Sequence, residues 1–179
     1  MKTDVIAIDH QGNGFQDAVD AAVKAAEYRR LNEQDANHLN LIANEMISLL
    51  TAVRRDMQAQ FWVESEGMAF TLHMTTEAAL NKDERYHLIS MASSRKNEIT
   101  NRFLGRLVDA FERAIAAEAV HDYADEPEDL PEYLDYHPDD PEWDGYEKSV
   151  LKQYSDNIKI FIRGGLAEMI VLKDFSRDN

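Results

Sequence analysis

The sequence predicts an α+β fold: a two-layer α/β sandwich whose mixed, mostly antiparallel sheet is covered on one face by helices. Three observations lead there. Two pairs of β-rich runs are each joined by a glycine turn, as antiparallel hairpins are. The segments between the first strand and these hairpins carry apolar residues at helical spacing on one side only. A helix with one apolar stripe buries it against a sheet face, which gives two layers. The 179 residues suit one domain, and a chain of this size buries roughly 70% of its unfolded surface without staples.

The elements follow in order. Thr3–Asp9 (TDVIAID) is a short β-rich run, and Gln11–Gly14 (QGNG) is a turn signal. Phe15, Ala18, Val19, Ala22, Val23 and Ala26 then recur at 3.6-residue spacing and predict a helix. Leu31–Asn32 breaks it. Asn32 is an N-cap for a second helix, with Glu33 and Asp35 favourable in its first turn. Leu39, Ile42, Ala43, Met46, Leu49, Leu50 and Val53 form its apolar stripe, which ends near Arg54 and Arg55. Gln60–Glu64 and Met68–Thr75 flank Ser65–Gly67 as a hairpin; Phe70, Leu72 and Met74 share one face of the second run, and Ala69, Thr71 and His73 the other. Asn81 caps a short helix, Lys82–Met91. A longer helix carries Ile99, Phe103, Leu107, Ala110, Phe111, Ala114 and Ile115. Tyr146–Tyr154 is a last helix, and Asn157–Arg163, Gly164–Gly165 and Ala167–Lys173 make the second hairpin.

Charge divides the chain unevenly. The net charge is −15, from 34 acidic and 19 basic residues. That sign opposes general affinity for DNA, RNA or anionic lipid. Twelve of the acidic residues, and no Lys or Arg, fall within 122–147. All four prolines, Pro127, Pro131, Pro138 and Pro141, lie there too. Proline removes a donor and clustered carboxylates repel, so this stretch reads as a loop or insertion in a single domain spanning 1–179. There is no cysteine, hence no disulfide, thiolate nucleophile or thiolate metal site. No apolar run reaches the roughly 18–20 residues that span a bilayer. The N-terminus, with Asp4 and no long apolar core, does not read as a signal peptide, so the cytoplasm is expected.

Residues Ala18–Val53, an alanine-rich helix, a short break, an acidic start and a second helix, resemble the first two helices of serine-kinase anti-sigma factors. The whole element order is similar to the ATP-binding domain those regulators share with histidine kinases, DNA gyrase and Hsp90. The final hairpin resembles its two closing strands. In that family the second helix presents a Glu and, four residues later, an Asn that ligates the nucleotide's magnesium. The matching positions here are Glu45 and Leu49. A leucine offers magnesium no oxygen ligand. The family's adenine-reading Asp-x-Gly-x-Gly is absent, as is its glycine-rich phosphate loop; Ser93–Asn97 (SSRKN) sits in roughly that place without a glycine.

The resemblance therefore implies a retained fold with nucleotide chemistry lost: a non-enzymatic regulatory module whose partner is another protein, a transcription regulator by analogy. No cofactor is expected, since the ATP–magnesium motif is incomplete. The alternative is a divergent ATP-binding enzyme, an ATPase or serine kinase. It would use Glu45 as activating base, with Asn44 and Ser48, again four apart, standing in for the missing pair. Ser93, Ser94, Arg95, Lys96 and Asn97 would then be phosphate donors at the start of the long helix. The plainer readings are a solvated Glu45, Asn44 and Ser48 turned from the Leu39/Ile42/Met46 stripe to water, and a polar helix junction capped by Ser94 or Asn97. A third possibility is a homo-oligomer whose hairpin edges pair between chains.

Within the acidic stretch, Tyr133, Tyr136 and Trp143 are candidate partner-binding anchors, because rings among charges recur at protein interfaces. It lacks the D-x-D-x-D-G calcium pattern. The histidines show no metal spacing; His38 and His73 read as surface or boundary residues. No Walker A, G-x-S-x-G or complete Rossmann fingerprint occurs.

Overall fold

A computed structural model describes residues 1–53, 58–77, 80–98, 150–163 and 165–177. Within them lie four α-helices and one five-stranded sheet. The order is β1 (Ile6–Ile8), α1 (Phe15–Arg29), α2 (Glu33–Val53), β2 (Gln58–Glu66), β3 (Ala69–Glu77), α3 (Lys82–Met91), α4 (Val150–Tyr154), β4 (Asn157–Arg163) and β5 (Leu166–Asp174). The expected long helix over Ile99–Ile115 and the acidic stretch 122–147 lie outside the described residues.

The strands run β1-β2-β3-β5-β4 across the sheet, every neighbouring pair antiparallel. Both expected hairpins form. The strands of the first are longer than the apolar runs alone, because the ladder extends pairing through Gln58 opposite Glu77 at one end and through Glu66 opposite Ala69 at the turn. Gly67, at φ 58°, turns the first hairpin.

The helices cover one sheet face, as the one-sided stripes require. Ala18, Ala22, Leu39, Ile42 and Met46 pack into one cluster with Phe61, Leu72, Met74, Ile158, Ile160 and Met169. Alanines along α1 let it approach β2 closely. Arg29, in its last turn, anchors it there: Nε donates to Ser65 Oγ at 2.9 Å and Nη2 to the Ser65 carbonyl at 2.6 Å. Arg30 ends α1 in the left-handed region at φ 58°, and the Leu31 N–H reaches back to the Ala26 carbonyl at 3.1 Å.

Both capping expectations hold. The Asn32 Oδ1 accepts from the Asp35 N–H at 2.9 Å at the head of α2. Asn81 and Glu84 form a reciprocal capping box at the head of α3, each side chain accepting from the other's backbone, at 2.8 and 2.9 Å. No helix among the described residues is long and apolar enough to cross a membrane.

Candidate functional site

The residues expected to meet a nucleotide lie on α2 and in the segment after α3. On α2, the Asn44 side chain is committed to its own helix, its Nδ2 donating to the Asn40 carbonyl at 3.0 Å and to Asn40 Oδ1 at 2.6 Å. Glu45 is half-buried and Ser48 exposed. Leu49 is partly buried against the core cluster. At the position where the resemblance calls for a metal ligand, hydrocarbon thus meets hydrocarbon.

The Ser93–Asn97 donors face the sheet's edge. β4 is an outer strand, and its residues Ile158 and Ile162 turn their backbone groups outward. The Ser93 Oγ accepts from the Ile158 N–H at 2.9 Å, while the Ser93 N–H donates to the Ile158 carbonyl at 2.9 Å. Asn97 repeats this at Ile162: its Nδ2 donates to the carbonyl and its Oδ1 accepts from the N–H, both at 2.9 Å. The Glu98 N–H donates to the Ile160 carbonyl at 2.9 Å, and Asn97 pairs with Ile160 in a parallel bridge. An uncovered strand edge is a template for foreign pairing, and here two polar side chains cover it. Ser94, Arg95 and Lys96 form the exposed turn between them, with Arg95 at φ 53°. The Ser94 Oγ accepts from the Lys96 N–H at 3.3 Å. The candidate anchors Tyr133, Tyr136 and Trp143 lie outside the described residues.

The sheet's second face, away from these helices, holds a polar cluster that the sequence reading missed. Strand alternation puts Trp62, His73, Thr75, Glu168 and Ile170 there. Trp62 and Ile170 are buried yet stand apart from the helix-side cluster. His73, read from sequence as a surface or boundary residue, is buried at 9% exposure. Its ring lies parallel to Trp62, centroids 4.7 Å apart with 4° between planes. Its Nδ1 meets Glu168 Oε1 at 3.2 Å. The two contacts, to Trp62 on β2 and Glu168 on β5, flank the imidazole from both neighbouring strands.

Burial pushes the Glu168 carboxyl above the ordinary carboxylate value, against the opposing pull of His73. Glu64, at the margin of this face, shifts the other way. Burial opposes ionisation there too, but hydrogen bonds from Lys2 and Trp62 hold its carboxyl below the usual value. Lys2 Nζ lies 3.2 Å from Glu64 Oε1 and 5.0 Å from the centre of the Trp62 ring.

Two signals in the sequence could have found this cluster. Glu168 is the one charge inside the run Ala167–Leu172 (AEMIVL), and Thr71, His73 and Thr75 alternate with Phe70, Leu72 and Met74. Among the described residues, no group of three or more His, Asp or Glu side chains is placed to hold a metal ion. Compared with known proteins, the chain matches no family model and no curated protein.

Proposed function

We propose that this chain is a non-enzymatic regulatory module that acts by binding another protein, on the layout of a histidine-kinase-like ATP-binding domain. The observation that carries the reading is Leu49. By the resemblance it stands where the magnesium ligand would be, and it packs against the core, so a bridging cation would have no oxygen from it. The neighbouring donors support the same conclusion. Asn44 is bonded within α2, and Ser93 and Asn97 are bonded to β4, so of that segment's donors only Ser94, Arg95 and Lys96 stand on an exposed turn. The strand–helix–helix–hairpin start and the closing hairpin agree with the layout. The partner, by analogy with anti-sigma regulators, is a cytoplasmic transcription regulator.

The test is isothermal titration of the full chain with ATP and magnesium, followed by phosphate release. No saturable heat and no phosphate above a blank are expected. Micromolar binding with turnover, abolished in Glu45→Ala, would instead establish the enzyme.

A further inference from the structure

Three side-chain atoms among the described residues are fully buried without a hydrogen-bond partner in the protein: His73 Nε2, Thr75 Oγ1 and Glu168 Oε2. They are not scattered. Thr75 and Glu168 are directly opposed in the β3–β5 ladder, and His73 precedes Thr75 by two residues on the same sheet face. Directly opposed side chains have Cβ atoms about 4.5–5.5 Å apart. Yet Thr75 Oγ1 and Glu168 Oε2 do not bond each other, while Glu168 Oε1 is already engaged by His73 Nδ1 at 3.2 Å. A buried hydroxyl or carboxylate without a partner costs about 1–3 kcal/mol, more when charged. Thr75 Oγ1 and Glu168 Oε2, on directly opposed residues of neighbouring strands, are therefore a demand for one shared partner.

The chemistry of the two atoms says what that partner is. The Glu168 Oε2 accepts, or donates when it carries the proton, and the Thr75 hydroxyl both donates and accepts. A bridging molecule must then be able both to donate and to accept, as water is. Internal waters typically make about three hydrogen bonds to otherwise unsatisfied buried groups. We propose that the second face of the sheet carries an internal water site whose protein ligands are Thr75 Oγ1 and Glu168 Oε2. The bound water joins β3 to β5 through side chains, beside the backbone ladder, and occupies the carboxyl oxygen of Glu168 that His73 does not.

A crystal structure of the unmodified chain tests this without any variant. A water within hydrogen-bond reach of Thr75 Oγ1 and Glu168 Oε2 is expected; a direct Thr75–Glu168 bond with no water between would overturn the site. In solution, oxygen-17 relaxation dispersion counts long-lived internal waters. The amplitude should fall by about one water in Thr75→Val, which keeps the side chain's shape and removes its hydroxyl. Glu168→Met provides the same reading should Thr75→Val fail to fold. An amplitude unchanged in a folded variant, or no dispersion in the wild type, would reject it.

Discussion

The Asn97 side chain both donates to and accepts from the backbone of Ile162, at 2.9 Å each way, so a single amide closes an edge-strand residue as a neighbouring strand would. Ser93 does the same at Ile158 with one side-chain and one backbone bond. This gives a residue-specific prediction. Asn97→Ala should speed amide exchange at Ile162 and leave Ile158 protected. Ser93→Ala should do the reverse. Asn97→Ala should also lower stability by about 1–2 kcal/mol, the range for half-buried hydrogen bonds left unmade. Hydrogen exchange read by NMR and urea denaturation check both. Equal acceleration at both sites would mean that the segment opens as a unit and the side chains do not act separately.

Much of the fold was legible because its signals are local. The stripe from Leu39 to Val53 and the alternation from Phe70 to Met74 each depend only on residue spacing. So do the Asn32 and Asn81 caps, where a side chain and an amide three residues away suffice. The roles of Asn97 and His73 were not legible. Asn97 bonds a residue 65 positions later, and His73 bonds one 95 positions later. In both cases the decisive partner is supplied by the closing hairpin. A Ser/Arg/Lys/Asn cluster before a helix reads as phosphate donors until β4 is known to lie beside it. A histidine among threonines reads as surface until a buried carboxylate faces it.

On the proposed reading, placing a metal ligand at position 49 should not confer nucleotide binding. Leu49→Asn places an amide oxygen where the resemblance calls for one, but it also removes an apolar side chain that packs on the core. Loss of about 1–3 kcal/mol is expected from the lost burial and the desolvated amide. Thermal denaturation reads the loss. Titration with ATP and magnesium should stay flat, because Asn44, Ser93 and Asn97 remain bonded elsewhere. A saturable signal in this variant alone would overturn the reading that the neighbouring donors are unavailable to a nucleotide.

Two glycines at positive φ should respond very differently to alanine. A Cβ on Gly14, at φ 78°, would lie 1.9 Å from the Ala7 carbonyl oxygen, so β1 and the start of α1 cannot both stay in place. Gly67, at φ 58°, has open space around the same position. Gly67→Ala should therefore cost only the left-handed backbone penalty, about 1–2 kcal/mol. Gly14→Ala should cost several times more and disrupt β1, which melting temperatures and the chemical shifts of Ile6 and Ile8 would report. Similar losses for both variants would show that backbone conformation, not the contact with Ala7, dominates at Gly14.

Glu168 should make stability fall as pH rises. Burial raises its folded pKa above the unfolded value, so the fold holds this proton more tightly than the unfolded chain does. The contribution is fully present below the unfolded pKa, about 4.3, and is lost as pH climbs through the raised folded value. Glu64 and Asp9 act with the opposite sign. The Asn13 side chain's hydrogen bond to Asp9, helped by the Asn13 and Gln11 amides, lowers that carboxyl's pKa, so its contribution is lost as pH falls. The total profile therefore mixes both trends, but a difference curve separates them. Glu168→Gln keeps an amide that can pair with His73 Nδ1 in either tautomer and removes the titration. Its stability relative to wild type should be flat in acid and rise toward neutral pH, as measured by urea denaturation from pH 3 to 8. A difference curve that falls with pH would mean that His73 draws the Glu168 proton off strongly enough to outweigh burial.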